Sequence, residues 1–170
     1  MHVSFDQLPA TARIWIYQAS RPLTSAETVG LLPRLAEFAE QWTSHGRHLL
    51  ASAEVLHQHF LVLGLDEEVA GASGCSIDAS VRFVAQLEQR LGLELLEKSR
   101  LALMQNGAVT LLDRRAIKAA VASGTVAPDT LYFDNALATK GELDTRWPRP
   151  AGETWLARYF GAGGKNPGLA

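Results

Sequence analysis

A single cysteine, Cys75, is all the thiol chemistry this 170-residue chain holds. One cysteine excludes an internal disulfide framework and a cysteine-rich zinc site, and it fits a reducing, cytoplasmic setting. Long apolar runs are missing as well. None reaches the roughly 18–20 residues of a membrane helix, so no membrane insertion is expected. The opening stretch, Met1-His-Val-Ser-Phe-Asp-Gln-Leu-Pro9, lacks the basic and apolar regions of a signal peptide. Neither sign of charge is in excess. Sixteen Lys+Arg against eighteen Asp+Glu leave a net charge of -2, which gives no electrostatic reason to expect a nucleic-acid partner. The phosphate loop G-x-x-x-x-G-K-[ST] is absent too. The Gly164-Lys165 step is followed by Asn166, so the chain is not read as an ATPase.

What is present is a 47% hydrophobic fraction, enough for a core in a single α+β domain over 1–160. Arg13–Gln18 alternates as a strand, with Arg13, Trp15 and Tyr17 on one face and Ile14 and Ile16 on the other. Thr24-Ser-Ala-Glu27 is a capping box that opens a helix to about Thr43. Leu31, Leu35, Phe38, Ala39 and Trp42 form its buried stripe, and Gly46 is available as a left-handed cap. Leu49–Leu56 and Phe60–Leu65 read as a hairpin. Asp78 or Ser76 caps a second helix to about Leu91, with Ile77, Val81, Val84, Leu87 and Leu91 inward, and Gly92 ends it. Strands at Arg100–Gln105 and Ala108–Leu112 flank an Asn106-Gly107 turn.

The order strand, helix, strand, strand, helix, strand predicts a ferredoxin-like split βαβ sandwich over about 12–112. Residues 113–160 are expected to form an α/β extension over the open sheet face. It holds a helix capped by Asp113, a Leu131–Phe133 strand, a helix opened by Thr139-x-x-Glu142, and the large side chains of Trp147, Trp155, Tyr159 and Phe160. The glycine-rich 161–170 reads as a flexible tail.

Chemistry concentrates at Gly71-Ala-Ser-Gly-Cys-Ser-Ile-Asp78. Small residues permit close backbone approach, and a helix start offers unpaired N–H groups to an anion. Gly71, Ser73, Gly74, Ser76, Asp78 and the nearby Glu67 are therefore candidate ligand-binding residues. In the predicted topology the third strand ends where the first helix ends. That places Asp66–Cys75 near Trp42–His48, with His45 as a candidate base for Cys75 and Asp66 as a candidate orienting carboxylate. Three readings of Cys75 stand: a packed, buried residue, which is the common fate of free cysteine; a reactive thiolate; or a lining residue of an anion site.

The histidines do not assemble a metal site. His45-x-x-His48 would share a helical turn and His57-x-His59 a strand face. An intervening strand holds the two pairs roughly 25 Å apart. No metal and no cofactor are expected. Core packing explains Trp15 and Tyr17 better than base stacking, since no RNP signature accompanies them.

The pattern Trp15-Ile-Tyr-Gln18, Gln41-Trp-Thr-x-His-Gly46, Asp66-Glu67, Gly71–Asp78, Thr139-Lys140 and Trp155…Phe160 resembles an uncharacterised bacterial family found mainly in Bacteroidetes. The resemblance covers about residues 12–160. Members often carry the label "ABC transporter ATPase", which the missing phosphate loop contradicts here. The resemblance implies a lineage and assigns no roles. Two functions follow from the residues: a binding or interaction module for a small anionic ligand or a protein partner, or a cysteine-dependent acyl- or thiol-transfer enzyme using Cys75 and His45.

Overall fold

The computed structural model describes residues 1–68 and 70–161; the expected tail lies, beyond Gly161, outside them. The strands are β1 (Arg13–Gln18), β2 (Thr43–Ser44), β3 (Arg47–His48), β4 (Leu50–Leu56), β5 (Phe60–Asp66), β6 (Arg100–Gln105), β7 (Ala108–Asp113), β8 (Leu131–Tyr132) and β9 (Arg149–Pro150). The helices are α1 (Ser25–Gln41), α2 (Gly74–Leu91), α3 (Ile117–Ala122) and α4 (Lys140–Arg146). The α+β class therefore holds. The chain divides into two compact units, one of Met1–Glu97 with Asn135–Thr145 and one of Lys98–Asp134 with Arg146–Ala170.

In the first unit β5 is the middle strand of an antiparallel sheet ordered β1-β5-β4. Its sequence, Phe-Leu-Val-Leu-Gly-Leu-Asp, is buried throughout, as expected of a strand covered on both faces. Leu61, Leu63 and Leu65 join α1 and α2 in the main core with Leu31, Leu35, Trp42, Val84 and Leu87. Toward the opposite face a Cβ on Gly64 would lie 2.5 Å from Leu8 Cδ1 and 3.2 Å from Phe5 Cε2. Glycine is thus what lets the 3-10 segment Phe5–Gln7 lie against this strand. Both sheet edges are occupied. The amide of Val3 donates to the Ala51 carbonyl beside β4, and that of Ile14 in β1 donates to the Ala138 carbonyl. These contacts pair part of each edge and leave fewer N–H and C=O groups open to another chain.

β5 thus lies antiparallel between β1 and β4. The fourth expected strand does not join them. β6 instead pairs with β7 and β8 in a second sheet ordered β7-β6-β8-β9, within the second unit. The Asn106-Gly107 turn sets the β6–β7 register as expected, with φ of 51° and 76°. Its core joins Leu101, Leu103, Ile117, Val126, Tyr132 and Leu156. Strand pairing over long separations is set by side-chain packing that local pattern does not carry.

Two helix boundaries also differ. Trp42 is the C-cap of α1, so the helix stops at Gln41 rather than Thr43. α2 begins at Gly74 with Ser73 as N-cap, not at Ser76 or Asp78. Ser76, Ser80, Val84 and Leu87 face inward, while Val81, expected inward, is 40% exposed. Two serines on an inward face are tolerated because both are bonded. The Ser80 hydroxyl donates to the Ile77 carbonyl at 2.6 Å, and Ser76 completes the cap. The Thr24/Glu27 box on α1 and the Gly92 left-handed cap on α2 form as expected.

Candidate functional site

The α2 start is built by two serines. The Ser76 amide donates to Ser73 Oγ at 3.2 Å, and the Ser73 amide donates to Ser76 Oγ at 2.8 Å. This reciprocal cap satisfies the third amide of the helix and leaves those of Gly74 and Cys75 with no acceptor among the described residues. The same turn is tied to α1. Trp42 Nε1 donates to the Ser76 carbonyl at 2.9 Å, with both residues buried. An aromatic stack continues along α1: Trp42 lies 5.0 Å from Phe38, and Phe38 lies 4.2 Å from Phe83 of α2, nearly parallel.

Between these elements lies an open groove of about 520 Å³. From α1 it takes Arg34, Glu37, Phe38 and Gln41, and from the turn after α1 Thr43 and His45. Ser73, Cys75, Ala79, Arg82, Phe83 and Gln86 line it from α2. Its floor is aromatic and its rim polar, a combination typical of small-molecule sites. Neither Arg34 nor Arg82 takes part in an ion pair among the described residues. Two guanidiniums against the single carboxylate of Glu37, beside the open amide of Cys75, make the rim favourable for negative charge.

His45 reaches the groove from a turn that local pattern did not reveal. Thr43–Ser44 and Arg47–His48 pair as a two-residue ladder, and His45 (φ 50°) and Gly46 (φ 76°) are its central residues. Positive φ at both positions is the mirror-image hairpin turn that matches strand twist. His45 and His48 therefore do not share a helical turn, and His48 Nδ1 lies 3.2 Å from the Glu40 carbonyl. His57 sits at the β4–β5 turn with φ 50°, and His59 is buried rather than on a hairpin surface. Burial holds both of these rings below the ordinary histidine value.

The structure thus brings together His45, Ser73 and Cys75 among the sequence-predicted residues. Cys75 is exposed, which overturns its reading as a buried packing residue. The remaining candidates lie elsewhere. Asp66 accepts from the Glu68 amide at 3.0 Å. Glu67 pairs with Arg13 at 3.4 Å. Ser76 is consumed by the cap, and Gly71, Gly74 and Asp78 are exposed outside the groove lining. Neither Asp66 nor any other described residue hydrogen-bonds His45, and no Cys75–His45 bond is formed, so the Cys75–His45–Asp66 relay is not assembled. Sequence reasoning missed Arg34, Phe38, Arg82 and Phe83 as site residues. Phe38 was legible only as core.

No protein-family model, no curated protein and no solved structure matches this chain. No helix among the described residues is long and apolar enough to cross a membrane.

Proposed function

We propose that this chain is a small binding module whose α1–α2 groove takes a small anionic ligand with a flat apolar body. The observation that carries the reading is the convergence of two guanidiniums without ion-pair partners, Arg34 and Arg82, above the Phe38/Phe83 stack and beside the start of α2. The anion lies between the arginines and the open amide of Cys75, where helix polarity and guanidinium charge act together. The apolar body lies along Phe38, Trp42 and Phe83. The sheet and helices of the first unit are read as a ferredoxin-like core that gives up its fourth strand, and the lineage as the Bacteroidetes-type family. A reducing, cytoplasmic location goes with an exposed Cys75 that stays a free thiol.

The test is amide-detected NMR titration with a panel of aromatic carboxylates and aryl phosphates. Shifts confined to 34–45 and 73–86, abolished in Arg34→Gln/Arg82→Gln, are expected. Uniformly absent shifts, or shifts elsewhere, overturn the reading.

One observation favours a second reading. Cys75 is exposed in the same groove as His45, so an acylated or thiolated Cys75 is the intermediate that a transfer enzyme would form. Mass spectrometry after incubation with acyl thioesters tests it. A Cys75 adduct that turns over, and that His45→Gln slows, favours the enzyme; an inert thiol leaves the binding module.

A further inference from the structure

Charge is divided unequally between the two units. The first has seven Lys/Arg against fourteen Asp/Glu, whereas the described residues of the second have eight against four. The near-neutral whole chain conceals this. Screening acts over about 8 Å at physiological salt, so a ligand at one unit's surface responds to local charge rather than to the chain total.

Within the second unit two cations without a carboxylate partner meet at one aromatic side chain. Arg115 is paired with Asp113 at 3.0 Å and Arg149 with Asp134 at 3.3 Å. Arg114 and Arg158 have no carboxylate partner among the described residues. The Arg114 guanidinium stands 5.0 Å from the Trp155 ring centroid and that of Arg158 5.2 Å. Trp155 is itself held, since its Nε1 donates to Tyr132 Oη at 3.2 Å. Arg158 Nε donates to the Trp155 carbonyl at 3.1 Å, and its guanidinium lies 5.9 Å from the Tyr159 ring. Both arginines are exposed, and Trp155 and Tyr159 are half-buried. Lys118, also exposed, follows Arg114 by four residues. Guanidiniums fixed by an aromatic ring are weakly hydrated and pre-organised, with N–H groups left for phosphate oxygens.

We propose that the Arg114–Trp155–Arg158 face binds single-stranded nucleic acid through its phosphates, with Trp155 and Tyr159 beside the bases. Basic side chains interleaved with partly exposed rings are the single-strand recognition chemistry. A duplex is disfavoured because the unit's α-helix α3, of six residues, is too short to read a major groove. The expectation of no nucleic-acid partner rested in part on whole-chain charge, and the division by unit removes that part of its basis.

The test is fluorescence anisotropy of the full chain with a fluorescein-labelled 15-nucleotide uridine strand between 50 and 200 mM salt. Three phosphate contacts, at Arg114, Lys118 and Arg158, give a log–log salt slope of about -2. Arg114→Gln/Arg158→Gln is expected to weaken binding at least ten-fold at 50 mM and bring the slope to about -0.7, the value for one remaining contact. Arg34→Gln/Arg82→Gln, in the first unit, is expected to leave it unchanged, which separates this site from the α1–α2 groove. No binding at 50 mM, binding indifferent to the 114/158 pair, or equal competition by poly-glutamate overturns the proposal. Should the glutamine pair not fold, Arg114→Lys/Arg158→Lys keeps both charges; retention of the slope supports the proposal, and its loss in a folded protein overturns it.

Discussion

The indole nitrogen of Trp42 donates a 2.9 Å hydrogen bond to the carbonyl of Ser76, thirty-four residues away. One bond thereby joins the C-cap of α1 to the first turn of α2 and sets the spacing of the groove between them. Trp42→Phe removes the donor and shrinks a fully packed ring. A loss of about 1–3 kcal/mol is expected in urea unfolding. The same variant is expected to broaden or shift the amide signals of 73–76; an unchanged first turn of α2 would show that the bond does not hold the groove.

Gly46→Ala tests the turn that presents His45. A Cβ at Gly46 meets nothing within 4 Å, but φ is +76°. The cost is therefore conformational, on the order of 1 kcal/mol. His45→Asn is expected to keep the turn, because asparagine tolerates positive φ. Chemical denaturation of the two variants checks the pair, and an equally stable Gly46→Ala protein would contradict the turn assignment.

Two pH windows follow from buried and capped groups. Burial holds His59 neutral, below its ordinary value of 6.5. The unfolded chain then binds the extra proton, so stability is full above 6.5 and falls as pH drops toward the lowered value. Glu27 behaves alike in a lower window. Its bond to Arg21, with the Thr24 amide, brings its carboxyl down from 4.5 to about 2. Its contribution is complete above 4.5 and is lost as pH falls through about 2. Glu27→Gln is expected to reduce the slope of stability between pH 4.5 and 2, and His59→Gln to reduce it just below 6.5, where His57 contributes alongside. Thermal unfolding across pH measures both, and an unaltered slope in either window contradicts that assignment.

Local signals in this chain were legible where one turn decides the outcome. Thr24 with Glu27, Thr139 with Glu142, Asn106-Gly107 and the Gly92 cap each form as their residues indicate. Ser73 was missed because its capping partner is Ser76, where a Glu or Gln is the usual signal. Gly46 was read as a helix cap because a mirror-image turn and a left-handed cap both call for positive φ, and only the Thr43–His48 pairing separates them. The departure of β6 to a second sheet was not legible, since it depends on partners such as Tyr132 and Leu131 far along the chain. The site was half legible for the same reason. Topology brought His45 toward Cys75, but the Phe38–Phe83 stack and the placing of Arg34 and Arg82 depend on how two helices meet.

Cys75 is exposed within the groove and reports directly on the charge around it. The decisive measurement is the ratio of its alkylation rates with iodoacetate, an anion, and iodoacetamide, its neutral counterpart, in native and unfolded protein. Nearby guanidiniums contribute on the order of 1 kcal/mol to an approaching anion, or about five-fold in rate. The expected result is a native ratio several-fold above the unfolded one that collapses in Arg34→Gln/Arg82→Gln and in high salt. A native ratio at or below the unfolded value, unchanged by removing the two arginines, would contradict an anion site in the α1–α2 groove.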